Sequence, residues 1–358
     1  MMQRCLALAR QGWGKTSPNP LVGCVIVDQN QQIIGEGFHP KAGEPHAEVF
    51  ALREAGEQAK GSTAFVNLEP CNHYGRTPPC TEALISAGIA KVVVGMVDPN
   101  PLVAGNGIER LRETGMEVVV GVETTDCELI NEAFVQRIKF SRPLGILKYA
   151  MTLDGKIATQ TGHSAWVTGK ASRRWVHHQR GGSDAVVVGG NTVRQDNPHL
   201  TTHQIHAHNP LRIVMSQSLD LPEEAHLWDL NEAQTLVFTN SGTRPEFQET
   251  LRQKGVLIEE RPQLSPADVM QYCFDRGMSR IFWECGGRLA AAAIADGTIQ
   301  KVMAFIAPKI IGGQSAPSPV GDLGFDSMAE ALLLQKFRIK QIESDFLLEG
   351  YLSAKVKE

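Results

Sequence analysis

The chain has 358 residues and a formal net charge of −4 at pH 7; 42% of its residues are hydrophobic and 21% are charged. This length predicts two or three domains of ordinary soluble composition, and the negative charge disfavours broad nucleic-acid binding. No apolar run approaches the ~20 residues that cross a bilayer, and the N-terminus lacks the apolar region of a signal peptide, so we expect a cytoplasmic protein without a membrane partner.

The first 142 residues are predicted to alternate between strands and helices. A short helix over residues 1–14 precedes Ser17-Pro18-Asn19-Pro20, where two prolines force an extended turn that exposes Asn19. Strands are predicted at 22–27, 33–37, 63–68, 91–97 and 116–120, and helices at 46–59, 80–88, 105–114 and 123–140. This alternation predicts a three-layer α/β sandwich with its site at strand carboxyl ends and helix N-termini.

One histidine and two cysteines in this part form the strongest chemical pattern. His46-Ala47-Glu48 opens a predicted helix, and Pro70-Cys71 and then Cys80 follow a predicted strand. One imidazole and two thiols are the three protein ligands that a catalytic zinc needs, with a fourth position left for water. Glu48, two residues after His46, is placed to act as acid and base on that water. A chance coincidence is the alternative, and the presence of Glu48 and Pro70 weakens it.

This arrangement matches the H-x-E…P-C…C signature of zinc deaminases, which use a metal-activated water to displace an amino group from a ring carbon. We therefore predict one zinc ion per subunit and hydrolytic deamination. The seven cysteines of the chain are an odd number without a regular framework, which favours thiols and ligands over disulfides.

The loop between the two cysteines is longer than usual, because residues 72–79 give it eight positions where the common signature has two. Its sequence, PCNHYGRTPPC, resembles the deaminase domain of the bifunctional riboflavin-biosynthesis deaminase/reductase family, whose motif is PC-x-H-x-GRTPPC. The resemblance implies zinc on His46, Cys71 and Cys80, Glu48 as proton shuttle, and Asn19 facing a pyrimidine. It implies a cytidine-deaminase-like fold and 2,5-diamino-6-(5-phosphoribosylamino)pyrimidin-4-one as substrate. The segment Asp98-Pro99-Asn100-Pro101 also recurs in that family, as a substrate-side loop or a structural turn.

A domain boundary is predicted at Ser141-Arg142-Pro143, which gives domains of 1–142 and 143–358. The second half restarts with strands predicted at 144–151, 184–189, 211–216, 236–239, 256–259 and 280–284, with helices between them and antiparallel strands within 301–312 and 333–353. It has no G-x-G-x-x-G, so a Rossmann dinucleotide site is not supported. Gly286-Gly287 can still offer amides to a phosphate, or can serve only close packing of helix and strand.

Several motifs of the second half resemble the reductase domain of the same family, which is related in fold to dihydrofolate reductase and uses NADPH. They are LKYAMTLDGKIA from Leu147, GHSAWVT from Gly162, DAVVVGGNTVRQDNPHLT from Asp184 and WECGG from Trp283. The resemblance implies NADPH contacts from Ala150, Trp166, Thr192, Asp196, Ser216, Gly286, Gly287, Arg288, Leu289, Ala290, Ala291 and Ala292. It implies substrate contacts from Ser164, Arg180, Leu200, His203 and Glu284. From the residues alone, Trp166 would be a core aromatic and Arg180 a solvated helix end.

Two positions depart from the family pattern. His203 stands where the family has an arginine on the substrate phosphate, and Met215 replaces an acidic residue common before Ser216. A neutral or half-protonated histidine is a weaker phosphate clamp than an always-charged arginine. These departures weaken the prediction for the reductase and leave that for the deaminase unchanged.

The sequence therefore predicts a bifunctional enzyme that deaminates a phosphorylated pyrimidine and then reduces its ribosyl chain to ribityl with NADPH. A homo-oligomer is also expected. One alternative is a monofunctional deaminase whose second half has decayed and only stabilises an assembly. Another is an RNA-editing deaminase, which the acidic net charge and the lack of a basic stripe with interleaved aromatics disfavour.

Overall fold

The computed structural model describes residues 1–74, 78–101 and 103–353, and the chain divides into two units, Met1–Arg142 and Pro143–Glu358. Three motif residues of the long loop, Gly75, Arg76 and Thr77, lie outside the described residues. Within the described ranges, no helix has the length and apolar character needed to cross a membrane.

The first unit contains a five-stranded mixed sheet in the order β2-β1-β3-β4-β5. Strand β1 is antiparallel to β2 and β3, whereas β3, β4 and β5 are parallel. The strands are β1 Gly23–Val27, β2 Ile33–Phe38, β3 Thr63–Leu68, β4 Lys91–Met96 and β5 Glu117–Val120. The helices are α1 Met2–Ala9, α2 Ala47–Ala55, α3 Cys80–Ser86, α4 Asn106–Glu113, α5 Thr124–Ile130 and α6 Glu132–Phe140.

Helix α2 lies unusually close to the sheet because strand β2 carries two glycines. A Cβ added at Gly37 would come 2.2 Å from the Ala47 carbonyl oxygen, and one at Gly35 would come 2.2 Å from that of Ala51. Any larger side chain would push the helix outward. The glycines therefore allow α2 to pack closely on β2, and His46 is the residue immediately before this helix.

The helix predicted over 123–140 is wrong as a single helix, because it is interrupted at Asn131. Asn131 is 2% exposed, and its side-chain oxygen accepts from the Leu21 N–H at 2.8 Å while its amide donates to the Leu21 carbonyl at 3.0 Å. A side chain that bonds a distant backbone segment in this way competes with helix continuation. The interruption ties the end of this unit to the segment that precedes β1.

The second unit contains a nine-stranded sheet in the order β10-β9-β8-β7-β11-β6-β12-β14-β13. The strands are β6 Leu144–Thr152, β7 Ala185–Gly189, β8 Leu211–Met215, β9 Thr235–Asn240, β10 Leu257–Arg261, β11 Arg280–Trp283, β12 Lys301–Ala307, β13 Leu334–Ile342 and β14 Asp345–Leu352. The helices are α7 Lys170–Gly181, α8 Gly190–Asp196, α9 Pro245–Gln253, α10 Pro266–Asp275 and α11 Gly287–Ala295.

The prediction that the strands within 301–312 and 333–353 are all antiparallel is wrong for β12. It pairs in parallel with β6 on one side and antiparallel with β14 on the other. The strands from β10 to β12 in the sheet order are therefore all parallel, and their carboxyl ends share one edge. Ligands of open α/β sheets bind outside such an edge.

Candidate functional site

The three predicted zinc ligands lie at the ends of three elements. His46 is the N-cap residue of α2, Cys71 follows β3 by three residues, and Cys80 is the first residue of α3. The Nδ1 atom of His46 lies 3.5 Å from the Cys71 Sγ atom and 3.3 Å from the Cys80 Sγ atom. All three ligand atoms lie within 4.8 Å of one another.

These separations fit one zinc ion. Zn–N and Zn–S bonds of about 2.05 and 2.3 Å at a tetrahedral angle put the nitrogen and sulfur about 3.6 Å apart. The observed 3.5 and 3.3 Å agree within a few tenths of an ångström. Two thiols and one imidazole also form the donor set of a three-ligand catalytic site. The residues present therefore fit the metal, with one tetrahedral position left over.

Both ends of the long cysteine loop are tied together by hydrogen bonds. The backbone N–H of Thr81 donates to the Cys71 carbonyl at 3.2 Å, and the Thr81 hydroxyl donates to Asn72 Oδ1 at 2.8 Å. The Cys80 N–H donates to the Cys71 sulfur at 3.3 Å. The hydrogen bond with the Cys80 thiol, followed by that with His46, lowers the pKa of Cys71 to about 4. A lowered thiol pKa favours the thiolate, which is the form of cysteine that binds a metal.

Glu48 lies in the first turn of α2 and is 3% exposed. Burial, followed by the charge of Cys71, raises the pKa of its carboxyl group. The Oε2 atom of Glu48 is buried and has no hydrogen-bond partner among the described residues. A buried carboxylate oxygen without a partner is costly, which indicates that it bonds a ligand or water in the working site.

Glu69 organises the backbone beside the metal-ligand cluster. Its carboxylate accepts from the N–H groups of Asp98 at 3.1 Å, Gly105 at 3.0 Å and Gly107 at 2.9 Å. Glu69 precedes Pro70-Cys71 directly, and it is 3% exposed. One buried side chain therefore connects the end of β3 to the segment 98–107, which includes the Asp-Pro-Asn-Pro sequence.

In the second unit, an ion cluster lies just beyond the end of β11. Arg180 of α7 bonds Glu284 through Nε at 2.5 Å and Nη2 at 3.1 Å, and its Nη1 donates to the Thr201 carbonyl at 2.9 Å. Lys148 of β6 lies 3.3 Å from the same carboxylate. Burial alone would raise the pKa of Glu284, but the charges of Arg180 and Lys148 lower it to about 2. Two predicted substrate residues, Arg180 and Glu284, are thus in direct contact.

His203 stacks on His177 of α7, with ring centroids 4.1 Å apart and planes 24° from parallel. Burial, followed by the charges of Arg180 and His199, lowers the pKa of His203. Burial, followed by Arg180 and His203, lowers the pKa of His177 to about 4. These shifts favour the neutral form of both rings. Leu200, also predicted to contact substrate, is buried in the same segment at 2% exposure.

The residues predicted to contact NADPH follow the carboxyl ends of neighbouring strands. Ala150 lies near the end of β6, Thr192 and Asp196 lie in α8 after β7, and Ser216 follows β8. A Cβ added at Gly190 would come 3.1 Å from the Ser216 hydroxyl, so Ser216 lies against the start of α8. Asp196 accepts from the Ser164 hydroxyl at 2.8 Å. The structure thus brings together a residue predicted to contact the cofactor, Asp196, and one predicted to contact the substrate, Ser164.

The start of α11 offers a place for an anionic group. Gly286 is its N-cap, its first turn contains no acidic residue, and a Cβ added at Gly286 would meet nothing within 4 Å. Free amides at a helix N-terminus beside open space suit a phosphate. Of the remaining predicted residues on this helix, Ala290 and Ala291 are buried, Leu289 is partly buried, and Gly287, Arg288 and Ala292 complete the segment.

Trp166 is exposed, and this excludes the alternative of a core aromatic. The Arg173 guanidinium lies 4.2 Å from the centroid of the Trp166 ring. The backbone carbonyl of Trp166 accepts a hydrogen bond from Lys309 Nζ at 2.8 Å. Arg180 is likewise buried, and is not a solvated helix end.

Three residues of these sites had no role in the sequence analysis: Glu69, Lys148 and His177. Lys148 left a signal, because it is the single charged residue in the strand Leu144–Thr152. Glu69 stands next to the zinc motif, but nothing in the sequence shows that segment 98–107 returns to it. His177 gave no signal, because the ring on which it stacks, that of His203, belongs to a different part of the chain.

Comparisons with known proteins support both halves of this description. A family model described as the cytidine and deoxycytidylate deaminase zinc-binding region matches residues 1–96, and one described as the RibD C-terminal domain matches residues 143–348. The chain is 60% identical to the riboflavin biosynthesis protein RibD of Synechocystis sp., over 98% of this chain and 95% of that protein.

Two solved structures are similar along the whole chain. A RibD structure from Acinetobacter baumannii, form 1, has a TM-score of 0.86 and 39% identity, and covers 99% of this chain and 98% of its own. The other, described as a diaminohydroxyphosphoribosylaminopyrimidine deaminase/5-amino-6-(5-phosphoribosylamino)uracil reductase from Thermotoga maritima, has a TM-score of 0.85 and 34% identity, over 98% and 97% of the two chains.

Proposed function

The chain belongs to the bifunctional riboflavin-biosynthesis deaminase/reductase family, and we propose that it catalyses both reactions, each in one of its two units. Residues 1–142 would deaminate 2,5-diamino-6-(5-phosphoribosylamino)pyrimidin-4-one, and residues 143–358 would reduce the ribosyl group of the product with NADPH. The observation that carries the proposal is the cluster of His46, Cys71 and Cys80 beside the partnerless oxygen of Glu48.

In the deaminase, His46, Cys71 and Cys80 would hold the zinc ion. When bound, zinc lowers the pKa of a water molecule and so supplies a nucleophile near neutral pH. Glu48 would take the proton from that water and pass protons to the ring nitrogen and to the departing ammonia. Its buried Oε2 atom, which lacks a partner in the described chain, supports this role because it is free to bond water and then substrate.

The test of the deaminase separates metal binding from proton transfer. Cys71→Ser and Cys80→Ser should lose zinc in metal analysis, because a hydroxyl is a much poorer zinc ligand than a thiolate. Glu48→Gln should retain one zinc per subunit and release ammonia roughly 10²–10⁴-fold more slowly. Retention of zinc in both serine variants, or a Glu48→Gln variant near the wild-type rate, would show that the assignment is wrong. Glu82→Gln, a surface change in the same unit, is the control.

In the reductase, the cofactor supplies hydride and the chain supplies geometry and anion recognition. Amides at the start of α11 would bind a cofactor phosphate, and Ser216, Thr192 and Ala150 would position the nicotinamide nucleotide along the strand edge. The ion cluster of Arg180, Glu284 and Lys148 would lie beside the sugar of the substrate, with His203 and Leu200 near its phosphate. The placement of these residues at neighbouring strand ends supports the proposal.

The reductase is tested by NADPH oxidation on the deaminated intermediate. NADPH should be the working cofactor, and a clear preference for NADH would contradict the residue assignment. Thr192→Ala and Ser216→Ala should raise the KM for NADPH more than that for substrate, whereas His203→Ala should do the reverse. An active deaminase without any NADPH oxidation would favour the alternative of a decayed second half.

The expected homo-oligomer is also retained as a proposal. Strand β13 is at one edge of the second sheet, and Phe337 and Ile339 on it are largely exposed, as is Leu333 just before it. An edge strand that exposes apolar side chains favours pairing with another chain. Sedimentation of the wild type and of Phe337→Lys tests this, since a second copy covering β13 predicts dissociation of the variant.

A further inference from the structure

Helix α7 takes its N-terminal cap from a strand that is distant in the sequence. Its N-cap residue is Gly169, so the helix has no capping side chain of its own. The carboxylate of Asp345, the first residue of β14, takes that place. Its Oδ2 atom accepts from the Gly169 N–H at 2.8 Å and from the Ser172 hydroxyl at 2.6 Å. Asp345 is 2% exposed and Ser172 is fully buried, so this contact is shielded from solvent.

The start of α7 needs a negative charge and a hydrogen-bond acceptor from elsewhere. Its first residues include the cations Lys170, Arg173 and Arg174, and its first turn contains no acidic residue. Cations are unfavourable at a helix N-terminus, because the helix dipole is positive there. The first N–H groups of a helix also lack partners within it. Asp345 therefore supplies both the charge and the acceptor that the helix lacks.

The β13–β14 hairpin also contacts the middle of α7. Lys340 of β13 places its Nζ atom 4.5 Å from the centroid of the Trp175 ring. Asp345 follows the turn of this hairpin, and the next residue, Phe346, pairs with Ile306 near the carboxyl end of β12. The hairpin thus holds α7 at the edge of the sheet where the strand carboxyl ends lie.

The other end of α7 belongs to the ion cluster. Arg180 bonds the Glu284 carboxylate and the Thr201 carbonyl. The helix has 12 residues and is therefore about 18 Å long, so Asp345 acts on the cluster through the helix. Because a packed helix moves as a stiff unit, a displacement of its first turn also displaces its last turn.

We propose that Asp345 is a positioning residue for the reductase reaction: by fixing α7 on the β13–β14 hairpin, it sets the place of Arg180 and the ion cluster. This inference rests on the proposed reductase function and adds a residue to it. Loss of the Asp345 carboxylate leaves the side chains of the cluster intact and changes their placement. Binding of the phosphorylated substrate depends on that placement, because such contacts require geometry within about 0.5 Å.

Steady-state kinetics of the full-length protein test the placement. Asp345→Ala should raise the KM for the deaminated intermediate by about 10-fold, and more than the KM for NADPH, while ammonia release stays near the wild-type rate. Asp345→Asn keeps one acceptor oxygen and should fall between the two. Glu343→Gln, at an exposed position in the same hairpin turn, is the matched control. An unchanged KM in Asp345→Ala, or an equal rise in Glu343→Gln, would overturn the proposal.

A second variant separates positioning from simple capping. The Gly169 backbone is extended, with φ −69° and ψ 173°, and a Cβ there would come no closer than 3.4 Å to Asp345 Oδ2, so serine fits. In Asp345→Ala/Gly169→Ser the helix has its own N-cap side chain, and the unfolding midpoint should recover. The KM for the intermediate should stay high, because the hairpin no longer holds the helix. Full recovery of this KM would show that Asp345 only caps α7.

Hydrogen exchange tests the coupling without relying on activity. In Asp345→Ala, the amides of α7 and of residues 200–204, which contact the end of α7 through the Thr201 carbonyl, should exchange faster. Adding Gly169→Ser should protect the helix again but not residues 200–204. Faster exchange confined to the first turn of α7 would overturn the inference. A wild type that oxidises no NADPH contradicts the proposed reductase function, and the exchange pattern then decides whether Asp345 controls residues 200–204.

Discussion

Glu284 is held as an anion between two cations in a buried position. Arg180 and Lys148 lower its pKa to about 2, although burial acts in the opposite direction. A carboxyl group whose folded pKa is below its ordinary value adds stability above that ordinary value of about 4.3. The contribution is lost as the pH falls from there through about 2. A buried cluster of this kind is sensitive to the loss of a single member.

Replacing Glu284 by glutamine should therefore destabilise the protein in a pH-dependent way. Arg180 and Lys148 would be left buried without a counterion, which costs about 3–5 kcal/mol of unfolding free energy at pH 7. The difference from the wild type should shrink as the pH is lowered from about 4 toward 2. Urea unfolding across this range measures it, with Glu224→Gln, which removes the exposed partner of Lys254, as a control expected to change little. A difference that stays constant with pH would contradict the linkage.

His203 gives a second prediction at this scale. Its pKa is lowered by burial, Arg180 and His199, so its positive charge is present only below the ordinary value of about 6.5. The KM of the reductase for its phosphorylated substrate should accordingly rise as the pH increases toward neutrality. His203→Arg should lower this KM at pH 7–8, by the equivalent of ~1–3 kcal/mol at most, and remove the histidine-dependent part of the pH profile.

Steady-state kinetics of both forms between pH 5.5 and 8 would measure the effect of His203. An unchanged KM at every pH would place His203 outside the phosphate site. Arg194 then becomes the next residue to examine, although its guanidinium already bonds Asp220. The stacking on His177 predicts that His177→Ala weakens whatever contribution His203 makes.

At the scale of elements, Glu69 shows how one side chain can hold a functional loop. It accepts from backbone N–H groups of Asp98, Gly105 and Gly107 at the start of α4. Glu69→Gln keeps the shape but replaces one acceptor oxygen by a donor, so some of these N–H groups lose their partner. We expect a loss of ~1–3 kcal/mol in unfolding free energy and a higher KM for deamination, with zinc retained.

Thermal or urea unfolding and metal analysis of Glu69→Gln would check this prediction. Glu82→Gln is the matched control, because Glu82 pairs with Arg110 at 3.0 Å on the surface of the same unit. Exposed pairs of this kind contribute about 0–1 kcal/mol. Equal effects of the two substitutions would mean that the loop does not depend on Glu69.

Local sequence patterns predicted the helices and strands more accurately than the tertiary contacts between them. The strand at 63–68 was predicted with the bounds it has, because its β-branched and apolar residues give a clear local signal. The interruption of the helix predicted over 123–140 could not be predicted in the same way. It occurs at Asn131, which bonds Leu21, 110 residues away, and no local pattern contains that information. The cluster of His46, Cys71 and Cys80 could be predicted because a sequence motif contains all three residues. Glu69 was missed because its role depends on tertiary contacts with Asp98, Gly105 and Gly107.

At the scale of the whole molecule, the chain combines two sheets whose candidate sites share one design. In each unit, the residues with predicted chemical roles gather at the carboxyl ends of parallel strands and at the helices that follow them. All predicted zinc ligands belong to residues 1–142, and all predicted cofactor contacts of the reductase belong to residues 143–358. The predicted family, the α/β fold and the pairing of deaminase with reductase are confirmed by relatives that match along the whole chain.

This division predicts that metal removal affects only one of the two activities. Within the described residues, His46, Cys71 and Cys80 form the one group of three or more side chains suited to a metal ion. Treating the protein with a chelator should therefore abolish ammonia release and leave NADPH oxidation on the deaminated intermediate near its original rate. Zinc should restore ammonia release to the wild type but not to Cys71→Ser, which serves as the matched control. If the chelator stops both activities, the reductase depends on the metal-ligand cluster. If NADPH oxidation is absent before and after treatment while ammonia is released, the second unit is the decayed reductase of the alternative.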